Sequence, residues 1–168
     1  MTDMYEAAPT MVETSLRDAM SLFATGVTVL TVGGEHAHGM TANSFTSVSL
    51  DPPLVLCCIS HSAVMHDAIS NAKRFGVSIM GADQRDTAKF FADKRRPLGP
   101  EQFDAVDWIE GPHTGAPLLN GSLAWLECEL VQFHEGGDHT IFVGQVLSSS
   151  RGADASALLF YSSSFHQV

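Results

Sequence analysis

The sequence predicts a mainly β protein: a closed or nearly closed antiparallel barrel with short helices at its periphery. Three observations lead there. Apolar, strand-like stretches recur at residues 27–32, 54–59, 75–80, 123–133, 139–147 and 158–161. Glycine-bearing turns, Gly33-Gly34 and Glu135-Gly136-Gly137-Asp138, join some of them closely enough for hairpins. Only two or three short helical patterns interrupt them. Six to eight strands with hairpin connections satisfy their edges best by closing on themselves. A Rossmann fold is excluded, because no GxGxxG separates a first strand from a helix.

Composition narrows the class further. A chain of 168 residues with 45% hydrophobic and 17% charged residues is globular and long enough for one core. We expect a single domain over residues 15–168 after a flexible N-terminal arm at 1–14. The net charge of −10 argues against nucleic acid, since phosphate binding needs clustered cations. Only Lys89, Lys94, Arg95 and Arg96 cluster. No run approaches the ~18 apolar residues of a membrane span, and the N-terminus lacks a signal pattern. A cytoplasmic protein is expected, with three cysteines that form no disulfide framework.

Along the chain, Ser15 and Asp18 form a capping box for a helix with Leu16, Ala19, Met20 and Phe23 at helical spacing, closed by Gly26. Residues 27–32 pair through Gly33-Gly34 with residues 35–40. Residues 39–50 alternate hydroxyl and amide side chains with apolar ones, as a half-buried strand does. Asp51-Pro52-Pro53 ends it, and residues 54–59 follow as a buried strand. His61 or Ser62 caps a helix carrying Val64, Met65, Ala68, Ile69 and Ala72 inward. After the strand at 75–80, Asp83 opens a second helix with Ala88 and Phe91 on its apolar side and cations at its end. Residues 97–102 are irregular, 106–109 form a short edge strand and 111–117 a loop. The strands at 123–133 and 139–147 pair, residues 148–154 form a polar loop, and the tail follows the strand at 158–161.

Few groups suggest chemistry unaided. His36 and His38 would share a strand face, but no third ligand stands at a convincing spacing, so two solvated histidines are expected and a metal site is rejected. Cys57 and Cys58 point to opposite sides of a strand and behave as small hydrophobes. No nucleophile elbow, P-loop or zinc-protease motif is present. The turn Gly136-Gly137-Asp138-His139-Thr140 places an imidazole where glycines permit a ligand to approach the backbone; an ordinary hairpin with an incidental histidine fits as well.

Together, FATGVTVLTV (23–32), GMTANSFTSVSLDPPLVLCCIS (39–60), GAPLLNGSLAWLECEL (115–130) and GGDHTIFVGQV (136–146) resemble the short-chain NAD(P)H:flavin oxidoreductases, the reductase components of two-component flavin monooxygenases. The resemblance runs from about residue 16 to 165, and the TANSF, PPLVL and GDH segments are its most specific marks. RPLGPEQFDAVDW (96–108) extends it toward the FAD reductases of enediyne biosynthesis.

The resemblance implies a homodimeric split β-barrel that binds FAD or FMN and NADH or NADPH, and that hands reduced flavin to a separate monooxygenase. FAD is the favoured flavin. Thr41, Ala42, Asn43, Ser44, Phe45, Ser47 and Val48 would line the flavin ring and ribityl chain, with Cys58 beside them. Ser60, Ser62, Ala63 and Val64 would meet the phosphate, where hydroxyls and free N–H groups suit an anion. A basic residue often assists there in such families; here His61 stands at that point without Lys or Arg. Phe90 would pack near the flavin. Asp138, His139, Ser164 and Phe165 would seat and cover the nicotinamide. Hydride would pass from nicotinamide C4 to flavin N5 between rings stacked at roughly 3–3.5 Å, so positioning dominates and no side chain is a strict acid or base. The alternatives are a flavin carrier or sensor without turnover, and an enzyme like pyridoxamine-phosphate oxidase on the same barrel.

Overall fold

The structure, a computed structural model, describes residues 11–168. Most of the expected arm lies outside them; residues 11–14 have no regular structure. Ser15 caps α1 (Leu16–Ser21), its hydroxyl accepting from the Asp18 N–H at 3.1 Å and donating to the Asp18 carboxylate at 2.7 Å. The helix stops before Gly26, which lies in the two-residue strand β1 (Thr25–Gly26). Its apolar side chains are not packed against the core: Leu16 is 79% exposed, with Met20, Leu22 and Phe23 also exposed.

The main sheet has seven antiparallel strands. They are β2 (Thr28–Val32), β3 (His38–Ala42), β4 (Phe45–Leu50), β5 (Pro53–Ser60), β6 (Arg74–Ile79), β9 (Ala124–Gly136) and β10 (His139–Arg151). The short pair β7 (Trp108–Glu110) and β8 (Pro117–Leu119) lies between β6 and β9 in sequence. The order across the sheet is β3-β2-β6-β9-β10-β5-β4. Its two edge strands, β3 and β4, are consecutive in the chain and separated only by Asn43-Ser44. A short link between opposite edges forces the sheet to curl. A third sheet joins β1, β11 (Leu158–Tyr161) and β12 (Ser164–Gln167).

Several sequence expectations shift here. The alternating stretch at 39–50 is two strands rather than one, broken at Asn43-Ser44. β5 alternates buried and half-buried residues, because it is covered by β4 and β10 along its edges and by the core on one face only. Its Cys57 side is buried and its Cys58 side is not. β10 runs through to Arg151, absorbing half of the expected polar loop, and the tail after the strand at 158–161 forms a further strand, β12. The polar residues that suggested loops sit on exposed positions of long twisted strands, where hydropathy alone does not separate the two.

β2 is buried along its whole length. Leu30 and Val32 face one core cluster, with Met65 and Ile69 of α2 (Val64–Ala72), Phe75 and Phe142. Val29 faces a second, with Ala88 and Phe91 of α3 (Arg85–Ala92), Phe103, Leu119 and Leu158. Both helices are thus pinned against one strand pair, β2–β3, and that fixes where their ends stand.

Candidate functional site

α2 begins at Val64 behind Ala63, and no side chain caps it. Neither His61 nor Ser62 takes the expected role: Ser62 shares its hydroxyl with Ser60 at 3.0 Å, and His61 pairs with Glu135 at 3.1 Å. The first N–H groups of α2 therefore have no side-chain acceptor, and their partial positive charge faces outward. Beside them lies a cavity of about 280 Å³ walled by Thr41, Ser62, Ala63 and Val64 on one side, and by Phe91, Ala92, Lys94 and Arg96 on the other. The cations absent from the neighbourhood in sequence arrive from thirty residues away. They come on the segment after α3, which lies over the end of β3.

The cavity continues past Thr41 and Ala92 into a second, about 180 Å³, lined by Val27, Asn43, Phe160 and Phe165. Val27 and Asn43 open in turn onto a third of about 220 Å³ with Gly26, Thr28, Phe45 and Ile79. The result is one groove along the outside of β3, cationic at one end and flat and apolar at the other. Phe160 and Phe165 meet edge to face at 5.5 Å and form a wall of the apolar part. Outside the cationic end, a shallow hollow of about 450 Å³ carries Lys89, Phe90, Asp93 and Arg95 and shares Arg96 with the groove.

The cationic end is built from buried polar groups. Arg96 donates from Nη2 to His38 Nε2 at 3.1 Å and to the Gly39 carbonyl, from Nη1 to the Asp93 carbonyl at 2.8 Å, and from Nε to Gln102 Oε1 at 3.3 Å. His38 is only 4% exposed, so the pair of solvated histidines expected from the sequence does not form. His36 lies in a tight helical turn that replaces the start of the expected strand. Burial, assisted by the Arg96 charge, holds His38 down at about 4. It is therefore neutral near pH 7 and free to accept a hydrogen bond.

On the other side of the Ser60–Ala63 turn stands the β9–β10 hairpin. Its loop is Gly137-Asp138, with Gly137 at φ 71°, the positive value that a type II′ turn requires at that place. His139 pairs across the ladder with Ser60, and the His61 N–H donates to the Asp138 carbonyl at 3.0 Å. The His139 ring and the Asp138 carboxylate are 2.7 Å apart, and this contact holds the Asp138 carboxyl below the usual range.

The structure thus brings Ser60 and Ser62 beside Asp138 and His139, and Thr41 and Asn43 beside Phe165. Ser44 is tied to β5, its hydroxyl donating to the Cys58 carbonyl at 2.7 Å. Ala42 turns its side chain into the core. Ser47 and Val48 sit on the exposed strand β4, outside the three connected cavities. Ser164 is exposed and bonds within its own hairpin, to the Tyr161 carbonyl at 3.3 Å. Phe90 lines the outer hollow, whereas Phe91 is core. His38, Lys94, Arg96 and Gln102 were not foreseen as site residues, because only the tertiary path of 93–103 places them there. Among the described residues, no group of three or more His, Cys, Asp or Glu could hold a metal, and no helix is long and apolar enough to cross a membrane.

The chain is thus an antiparallel-sheet protein with an open groove that has cations at one end and aromatic rings at the other. Comparison with known proteins gives the class a name. Residues 20–168 match the family described as flavin reductase like domain, and the chain belongs to that family. It is 50% identical over 152 residues to an NADH-dependent FAD reductase of Streptomyces globisporus, covering 90% of this chain and 84% of that protein. An NADH-dependent flavin reductase from Rhodococcus is 40% identical, covering 97% and 90%. Among solved structures, the Streptomyces globisporus C-1027 NADH:FAD oxidoreductase superposes with a TM-score of 0.90 at 46% identity, covering 95% of this chain and 99% of that one. The flavin reductase component of a bacterial two-component tryptophan halogenase gives 0.88 at 50% identity, covering 91% and 96%.

Proposed function

We propose that this chain catalyses NADH-dependent reduction of a flavin, preferentially FAD, and releases the reduced flavin to a separate flavin-dependent oxygenase or halogenase. The observation that carries this is the groove. It joins a cationic corner, suited to phosphate, to a slot walled by Phe160 and Phe165, in a chain whose relatives include NADH-dependent FAD reductases. A bound flavin supplies the redox chemistry, accepting a hydride from the reduced nicotinamide. The remaining work falls to the chain's own residues.

Ser60, Ser62, the uncapped N–H groups of α2 and the Lys94 ammonium hold the phosphate. Thr41, Asn43, Phe45 and the backbone around them line the ring slot, and Phe160 with Phe165 excludes water from its rim. Asp138 and His139 seat the nicotinamide. The His139 ring is oriented by Asp138 and donates from its other nitrogen when protonated. No side chain takes a proton from a reacting atom, so alignment supplies the rate.

The exposed apolar side chains of α1, together with Val48 and Leu50 of β4, suit a homodimer in which the curled sheet completes a split barrel. The decisive experiment mixes protein and NADH with FAD or FMN in air and follows the nicotinamide absorbance. Catalytic loss of that band, faster with FAD, is expected. A flavin spectrum that appears without turnover would make the protein a carrier instead.

A further inference from the structure

We propose that His38 and Gln102 are positioning residues that latch Arg96 onto β3 and thereby hold Lys94 at the flavin-phosphate corner. The inference rests on the flavin function above and adds to it a built support for one side of the groove.

The segment from Asp93 to Phe103 has little regular structure, only a tight helical turn at Gly99–Phe103. It keeps its place through side chains. Gln102 is fully buried; its Oε1 accepts from the Gly39 N–H at 2.9 Å, and its Nε2 donates to the Gly99 carbonyl at 2.8 Å. Arg96 fastens the nearer end of the segment to Gly39 as well, and to its neighbour His38. Both ends of the loop are thus tied to one point on β3. Gly39 has no room for a larger residue there, since a Cβ would stand 2.6 Å from the Phe91 ring.

Counting hydrogens separates latch from ligand. Arg96 has five N–H groups and gives four to protein acceptors, leaving one on Nη1. Its guanidinium also lies 5.9 Å over Phe91. An arginine so occupied is part of the frame. Lys94, two residues earlier, is the opposite case: it lines the cavity with Ser62–Val64 and makes no ion pair among the described residues. Arg96 only donates, so His38 Nε2 must be the bare nitrogen and Nδ1 must carry the proton. The Gln102 Nε2 contact with Nδ1, at 3.3 Å, then joins two donors and contributes nothing. The bond from Arg96 is what the histidine is for.

The test uses the full chain, with flavin and NADH kinetics and flavin Kd from fluorescence quenching. His38→Met removes the acceptor at similar bulk. It is expected to raise flavin KM and Kd about tenfold, the worth of one charge-assisted contact, with NADH KM unchanged. Lys94→Ala should do the same. The double variant should be no weaker than K94A alone, because His38 acts through Lys94. His38→Gln, whose amide oxygen can accept from Arg96, should restore binding. Should H38M not fold, Arg96→Lys keeps the charge while breaking the fork, and the same rise in flavin Kd is expected. Additive losses in the double variant overturn the proposal. So does unchanged flavin affinity in a folded H38M or R96K. Absence of turnover in the unaltered protein would instead remove the proposed function, while the Kd series would still decide the latch.

Discussion

Two histidines flank the same corner of this protein, and their surroundings are opposite. His38 is buried under the 93–103 segment, is neutral, and accepts a hydrogen bond from an arginine. His139 stands half exposed on a hairpin tip, 2.7 Å from the Asp138 carboxylate. The first region is held by side chains reaching across the fold, the second by a backbone ladder and a two-residue turn. Altering a side chain should therefore move the His38 region more than the His139 region. At the hairpin it should change ligand contact while leaving the frame intact.

The largest effect that would sharpen this contrast is steric. Gly39→Ala places a methyl against Phe91, and such overpacking costs about 1–3 kcal/mol. A clear fall in Tm is expected, whereas an unchanged Tm would mean that β3 and the segment above it are not pressed together. Next comes Phe165→Ala, which removes the edge-to-face partner of Phe160 and opens the apolar slot. About 1 kcal/mol of stability should go, with a severalfold rise in flavin KM; kinetics indistinguishable from the parent would take Phe165 off the site.

A smaller effect should appear with pH. The folded His38 is depressed to about 4, so between there and its ordinary 6.5 the unfolded chain binds more protons than the folded one. The contribution is complete above about 6.5 and is lost as pH falls toward 4. The charged group facing His38 is Arg96, and Gln102 is its neutral neighbour. Urea midpoints between pH 7 and 4 should decline more steeply in the parent than in H38Q; parallel declines would return His38 to an ordinary environment. Smallest of all, Asp138→Asn should leave Tm almost unmoved, because water screens so exposed a pair. Its signature would be NADH KM alone, and a large stability loss would contradict the contrast.

Much of this was legible in the sequence, for physical reasons. β2, β6, β9 and β11 announce themselves by β-branched and aromatic runs, and the Gly136–His139 turn by its glycines. Thr41, Asn43 and Ser62 of the hydroxyl-rich stretch line one wall of the groove, while Ser47 and Val48 of the same stretch lie outside it. The opposite wall was hidden. Nothing local to Lys94 or Arg96 says that they stand over Ser62, and a histidine two residues from another on a presumed strand looks solvated. The burial of His38 involves Arg96 and Gln102, fifty-eight and sixty-four residues on. Likewise the exposed apolar side of α1 is periodic in sequence yet finds no core among the described residues.

The central claim is that one side of this corner takes the flavin phosphate and the other the nicotinamide. Steady-state kinetics of K94A and His139→Ala, with FAD and NADH each varied, test it most directly. K94A should raise flavin KM and spare NADH KM, and H139A should do the reverse. If each variant raises both constants equally, the division of the corner between the two substrates is wrong.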